Sequence, residues 1–318
     1  MIGEKVVPLA AWAIDTLIGD PRSNWHPVVL IGNLIARLEK LLLQAEASPA
    51  KKRLAGLVLV LMVLGSVYLA AWLSLFCLRQ WGETTVFFGS ALLLSFVITP
   101  RSLAEAGNEI KGYLETGNLI QARYKVGWIV GRDTDKLDTG EITRATVETV
   151  AENIVDGITA PLFYFAIGGL PLAFLYRAVN TLDSMVGYRS EKYRDFGMVS
   201  ARTDDVFNYI PARITGIILV AAAFLLGYNA PRAAKTILRD AGKHPSPNSG
   251  IPEAGVAGAL GIQLGGLNYY KGVPSDRARM GDALCSYAPG HISATIRIMY
   301  MTTGLFVAGI ILIKFLEV

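Results

Sequence analysis

Cysteine and charge are what this sequence has least of. Only two cysteines, Cys77 and Cys285, occur in 318 residues. Cys77 lies inside an apolar run, which argues against a disulfide framework. No Cys-x-x-Cys or Cys/His ligand spacing exists, which argues against a thiolate zinc site. Charged residues make up 18% of the chain, against about 25% in an ordinary soluble domain. The net charge of +4 is modest. In a chain this apolar, Lys and Arg report membrane topology first, and no nucleic-acid partner is expected. A GxxxxGK[ST] phosphate loop is also missing. The N-terminus carries Glu4, Lys5, Pro8 and Asp15 without a clear cleavage site, and it reads as retained.

Long apolar runs are what the sequence has instead. Residues 54–78 are uncharged, preceded by Lys51, Lys52 and Arg53 and followed by Arg79. That length suffices to cross a bilayer, which takes about 20 apolar residues. Residues 84–100 are also uncharged, and the short link 79–83 predicts a helical hairpin. Further candidate membrane segments are 6–19, 158–176, 214–230 and 298–313. Residues 254–267 are uncharged but short, with five glycines, and suit a buried helix or a re-entrant piece. Segments 20–53, 101–157, 177–213 and 231–297 carry six, seven, six and eight Lys/Arg, against one in 79–83. The positive-inside rule places all four basic segments in the cytoplasm. Simple alternation cannot do that if 158–176 and 214–230 both cross. Pro161, Gly168, Gly169 and Pro171 mark 158–176 as a broken or re-entrant segment. The expected fold is an all-α polytopic membrane protein. It forms a helical bundle in one membrane-embedded unit over 1–318, with long cytoplasmic polar loops and room for re-entrant segments.

Four polar stretches carry the candidate chemistry. Asp20 and His26 are each followed by Pro and so lie on restricted backbone; Asp20 also suits a plain helix-end turn. Glu148, Glu152 and Asp156 share one face of a straight helix. Stacked carboxylates need a positive neutraliser, either a bound Mg²⁺ or solvent and Arg144. Asn180-Thr181-Leu182-Asp183-Ser184-Met185 leads into Tyr188, Arg189, Lys192, Tyr193 and Arg194, then Arg202, Asp204, Asp205, Asn208, Tyr209, Pro211 and Arg213. Carboxylates for a metal and guanidinium groups for phosphate meet in this one region. A positive-inside loop would explain the arginines without explaining the Asp and Asn residues. His244-Pro245-Ser246-Pro247-Asn248-Ser249-Gly250, Pro252-Glu253 and the glycines after them could present backbone N–H groups to an anion. The residues alone point to a membrane enzyme acting on an anionic or phosphorylated substrate, and they do not name it.

The ordered blocks resemble a known family. Asp15…Gly19-Asp20-Pro21…His26-Pro27-Val28 with Gly32 is similar to the opening signature of the CobD/CbiB cobalamin-biosynthesis family. Glu152-Asn153…Asp156-Gly157…Ala160-Pro161-Leu162-Phe163 resembles its next block, and Asn180 to Tyr188 the one after that. Phe196-Gly197, Ala201-Arg202…Asp204-Asp205…Asn208-Tyr209-Ile210-Pro211-Ala212-Arg213, Ser246 to Ala254 and Leu264-Gly265-Gly266 follow in the family's order. The resemblance covers nearly the whole chain. It implies an adenosylcobinamide-phosphate synthase, also called cobinamide synthase. Such an enzyme joins (R)-1-amino-2-propanol or its O-phosphate to a free propionate of adenosylcobyric acid, using ATP and Mg²⁺, at a cell membrane site open to the cytoplasm. A homo-oligomer is compatible with it.

Chemistry then assigns expected roles. Asp183, Asp204 and Asp205 are the first candidates for Mg²⁺, with Glu152 and Asp156 behind them. Arg189, Lys192, Arg202 and Arg213 would hold phosphates. Asn153, Asn180, Asn208 and Asn248 would bond the amide side chains of the corrin, and Glu253 joins the substrate-binding set. His26 would either act as a base towards the ammonium or orient Asp20. The competing readings are a CDP-alcohol phosphotransferase, which Pro161 disfavours at a position needing Arg, and a membrane transporter or signalling protein without catalysis.

Overall fold

A computed structural model describes residues 2–20, 23–188 and 190–316. Among them, five helical stretches are long and apolar enough to cross a membrane: Pro49–Arg79, Glu83–Glu115, Thr139–Val186, Met198–Leu225 and Gly290–Leu316. The segment 6–19 folds as α1 (Ile2–Ile18), 17 residues long, which is shorter than any of the five.

The expected hairpin is present as α3 (Pro49–Arg79) and α4 (Glu83–Ser95). Pro49 supplies a preset φ at the first helical turn, and the uncharged run that follows makes α3 apolar on every side. One face, with Leu59, Val60, Val63 and Val67, is buried. Leu57, Leu61, Leu69, Trp72 and Phe76 remain exposed, as suits a helix with lipid on its other side. Gly56 is needed on the buried face, because a Cβ there would lie 1.9 Å from the Phe196 carbonyl oxygen.

The sequence reads as one unit, whereas the chain packs as two compact ones. The first comprises Met1–Thr99, Asp156–Asn208 and Val307–Val318; the second comprises Pro100–Val155 and Tyr209–Phe306. In the first, α1 packs on α4, and α3 packs against α4, α2 (Pro27–Leu42) and α8 (Ala160–Val186). In the second, α7 (Thr139–Ile154) packs on α5 (Pro100–Glu115) and α6 (Leu119–Val126). There α11 (Gly250–Leu260) touches α7, α10 (Ala230–Asp240) and an antiparallel hairpin of β1 (Leu264–Tyr270) and β2 (Val273–Met280). The helix α9 (Met198–Leu225) starts in the first unit and ends in the second, and α12 (Gly290–Leu316) does the reverse.

Local chemistry fixes the ends of these elements. Asp138 and Glu141 form a reciprocal capping box at the start of α7, with bonds of 2.7 and 3.0 Å that satisfy two otherwise orphaned donors. Asn118 and Asn229 cap α6 and α10. At the other end of α10 the fully buried Asp240 receives Arg239, Lys243 at 2.7 Å and the Gly281 N–H at 2.8 Å. Chiefly Arg239 holds its carboxyl well below the usual carboxylate range.

Two expectations change and a third holds. The polar blocks expected on long loops are largely helical. Asn180 to Met185 forms the end of α8, and Ala201 to Arg213 forms the first half of α9, which therefore begins well before the expected 214. The segment 254–267 is neither a single buried helix nor re-entrant throughout. It divides between α11 and β1, because Gly261, Gly265 and Gly266 adopt φ of 71°, 86° and 92°, which end the helix and bulge the strand. The expected break within 158–176 is present. A π turn spans Val155–Thr159, and within α8 Gly168 and Gly169 leave helical geometry at φ/ψ of −141°/22° and 66°/−157°.

The Gly169 conformation is nearly exclusive to glycine, and a Cβ there would meet nothing closer than Pro171 at 3.9 Å. Gly169→Ala should therefore act through backbone strain alone. We expect a loss on the order of 1–3 kcal/mol, read as a lowered melting temperature of the detergent-solubilised protein. An unchanged melting curve would show that the break is not needed.

Candidate functional site

The first unit gathers polar groups where α8 and α9 meet. The period that buries Ala173, Tyr176, Val179 and Thr181 on α8 leaves Asn180 and Asp183 half-buried beside them. Tyr176 donates its hydroxyl to the Asn208 Oδ1 at 2.8 Å, and the Asn208 amide donates to Asp204 at 2.9 Å. Asn208 and Asp204 are four residues apart on α9, one above the other. Asn180 donates to the Asp156 carboxylate at 3.3 Å. Tyr164 stacks on Tyr176 at 5.4 Å and closes the side of the group. Arg177, whose Nε is buried without a hydrogen-bond partner among the described residues, lies within the field of Asp20 and Asp156.

Asp20 and His26 do come together, with the His26 Nε2 3.3 Å from Asp20. The other ring nitrogen accepts the Val28 N–H at 3.3 Å and caps α2. That bond occupies the Nδ1 lone pair, so the ring proton sits on Nε2 and points at Asp20.

In the second unit Glu148 is the centre of a buried network. Arg132 and Arg144 both pair with its carboxylate, the latter at 3.2 Å, and the Gly265 N–H donates to it at 2.8 Å. Arg144 also reaches the Leu267 carbonyl and the side chain of Asn268. The Glu148, Glu152 and Asp156 stack expected of a straight helix is not formed as such. The π turn breaks the 3.6-residue period at Asp156, and each carboxylate has partners of its own. The Ser249 hydroxyl donates to Glu152 at 2.9 Å.

Beside this network, His244 and Glu253 face each other at 3.5 Å, with side-chain exposures of 8% and 3%. Burial pushes the Glu253 carboxyl well up from the ordinary glutamate range, and the charges of Glu148 and Glu152 add to the shift. Burial pushes the His244 imidazole down. Both shifts favour the neutral form. The His244 Nδ1 faces the Ser246 N–H at 3.0 Å and the Ser246 carbonyl at 3.2 Å, so it can accept from one or donate to the other. Arg213 clamps the preceding loop, donating to Asn248 at 2.8 Å and to the Pro247 carbonyl at 3.4 Å while stacking on Tyr209. Three of its expected phosphate contacts are therefore spent on carbonyl oxygens, counting its bond to the Tyr209 carbonyl.

The remaining expected residues are dispersed. Lys192 is exposed and bonded to Glu39 at 2.6 Å and to the Tyr193 hydroxyl at 2.7 Å. Arg202 is exposed on α9. Asn153 turns back onto the Thr149 carbonyl of its own helix. Pro21 and Arg189 lie outside the described residues. Asp183, Asp204 and Asp205 do not form a three-carboxylate cluster, and among the described residues no group of three or more His, Cys, Asp or Glu side chains is disposed to hold a metal ion. Asp204 and Asp205 are consecutive, so a helix points them about 100° apart: Asp204 is buried and Asp205 half-exposed. Carboxylates offered singly or in pairs still suit Mg²⁺, which commonly takes one or two of them and completes its shell with substrate phosphates and water. Arg132, Arg177, Tyr176 and Asn268 were not anticipated. Arg177 alone had a usable signal, a charge directly after an apolar run.

With this geometry in hand, comparison with known proteins is informative. A family model described as CobD/Cbib protein matches residues 8–299. The cobalamin biosynthesis protein CobD of Klebsiella pneumoniae is 44% identical over 305 residues, covering 96% of each chain. The cobalamin biosynthesis protein CbiB of Salmonella typhimurium is 45% identical over 304 residues, covering 95% of this chain and 94% of its own. CobD of Clostridium perfringens is 42% identical over 308 residues, covering 95% and 96%. No solved structure matches.

Two outcomes follow from the buried charges. Glu148→Gln leaves Arg132 and Arg144 without their counter-charge, which should cost about 3–5 kcal/mol; a melting temperature equal to that of the native protein would contradict the network. The Glu253 and His244 shifts give opposite pH slopes. A carboxyl raised from 4.5 loses stability as pH climbs above 4.5 towards its folded value, and an imidazole lowered from 6.5 loses it as pH falls below 6.5. Melting curves across pH should therefore show Glu253→Gln losing the first slope and His244→Asn the second. Variants that keep the native profile would rule the assignment out.

Proposed function

Because this chain belongs to the CobD/CbiB family, we propose that it joins an amine to a corrinoid carboxylate in cobalamin biosynthesis. The amine is (R)-1-amino-2-propanol or its O-phosphate. The acid is the free propionate of adenosylcobyric acid, and the product is an amide. The observation that carries this reading is the match over residues 8–299, in which the ordered polar blocks fall on the buried groups described above.

Bound ATP with Mg²⁺ would give the carboxylate a phosphate leaving group, which an amine needs in order to displace oxygen. Asp204 and Asp156, which accept amide hydrogen bonds from Asn208 and Asn180, are the carboxylates best suited to Mg²⁺, with Asp183 and Asp205 as further ligands. Exposed Arg202 is suited to a phosphate, and Arg189 and Lys192 could join it, the latter by exchanging Glu39 for substrate. Asn153, Asn180 and Asn208 can trade bonds with the amide side chains of the corrin ring. Asp20 and His26 act as a positioning pair at the start of α2. ATP is a cytoplasmic reagent, so the substrate-binding groups would open to the cytoplasm.

A product assay tests this. Membranes holding the protein, supplied with adenosylcobyric acid, aminopropanol phosphate, ATP and Mg²⁺, should yield a corrinoid heavier by the amide-linked amine, and none when ATP is omitted. Asp204→Asn keeps the shape of the side chain and should lower product at limiting Mg²⁺ by roughly ten-fold or more, with partial recovery at high Mg²⁺. Absence of product from folded protein with either amine would favour transport or signalling, and saturable corrinoid uptake into liposomes would then be expected.

A further inference from the structure

The first unit also holds a cavity that plays no part in the groups above. It has a volume of about 360 Å³ and lies where α1 begins, α3 and α12 end and α8 breaks. Lys5, Arg79 and Lys314 line it, opposed there by the single carboxylate of Glu4, and the irregular backbone of Gly168 and Gly169 forms part of the wall. None of the three cations makes an ion pair among the described residues, although Lys5 lies 4.9 Å from the Phe315 ring centroid. Three basic side chains on one cavity repel one another unless an anion neutralises them.

Two further features say what kind of anion. The ends of α3, α4 and α12 are ends of membrane-length helices, so the cavity sits at the level of the membrane–water interface. The exposed Trp72 and Phe76 stack on each other at 5.6 Å near the end of α3, and Trp81 in the turn is 80% exposed. Aromatic side chains of this kind mark headgroup level. Leu75, Val86, Phe165 and Ile167 give the wall an apolar stretch, with Ser90 beside it. A free phosphate has no use for such a wall, whereas a lipid has an acyl chain to lay on it.

We infer that this cavity binds the headgroup of an anionic phospholipid, its phosphate among Lys5, Arg79 and Lys314 and the start of an acyl chain on Leu75, Val86 and Ile167. The site is independent of the amide-forming reading, which can fail without affecting it.

The experiment is native mass spectrometry of the delipidated full-length protein in detergent, with phosphatidylglycerol or phosphatidylcholine added at equal concentration. The native protein should retain a phosphatidylglycerol that phosphatidylcholine does not replace. Lys5→Gln, Arg79→Gln and Lys314→Gln should each weaken that retention by roughly five-fold, with unchanged melting temperatures because no ion pair is lost. Equal retention of the two lipids by the native protein overturns the proposal without recourse to any variant. So does undiminished retention in all three variants, or displacement of the lipid by inorganic phosphate at the same concentration, which would make the site one for free phosphate.

Discussion

A carboxylate that is almost wholly removed from water sets the shape of the second unit. Glu148 has a side chain only 8% exposed and is tolerated there because two guanidinium groups and a backbone amide meet it. Those three partners come from the loop before α7, from α7 itself and from β1. The ionisation of one side chain therefore decides where a hairpin sits on a helix. Asn268 repeats the tie one step further along β1 by accepting from Arg132 and Arg144. Such a network specifies one arrangement strongly, because any slip of β1 by a residue leaves buried charge without a partner.

The two units balance their buried acids in different ways. In the second, Glu148 faces two arginines, and burial shifts Glu253 towards its neutral form. In the first, Asp156 and Asp204 are bonded to the neutral amides of Asn180 and Asn208, and Arg177 brings positive charge within range of Asp156. Amide hydrogen bonds orient a carboxylate without cancelling its charge. The two units thus handle buried carboxylates by different local chemistry.

How much of this could be read from the sequence depended on the range of the interaction. The hairpin of α3 and α4 was plain, because its signal is local: an uncharged run, a short link and a second run. The break at Gly168 and Gly169 was also plain, because glycine and proline act on their own backbone. The motif blocks identified the family because their order is a property of the chain. What the sequence hid was non-local. Helical spacing aligned Glu148, Glu152 and Asp156, and nothing local announces that a π turn will interrupt them. The blocks around Asp183 and Asp204 look like solvated loops by charge. They lie in α8 and α9, where Tyr176 and Asn208 pair across the two helices, and that pairing has no sequence signature. The hairpin of β1 and β2 was missed because its polar, arginine-bearing second strand has no alternation to betray it. Its partner Glu148 lies more than a hundred residues away. Arg213 read as a phosphate ligand by type, and only the geometry of Asn248 and Pro247 reveals a clamp.

The order in which the units are threaded has a consequence for synthesis. Neither unit is continuous: the first takes its last piece from Val307–Val318, and the second is interrupted by Asp156–Asn208. A ribosome releases the chain from the N-terminus, so the early hairpin of α3 and α4 must wait in the membrane while the intervening segments are made. The first unit can close only when the end of α12 has emerged. Until then the pieces Met1–Thr99 and Asp156–Asn208 lack the contacts that the end of α12 completes, so the first unit is finished last although it is begun first.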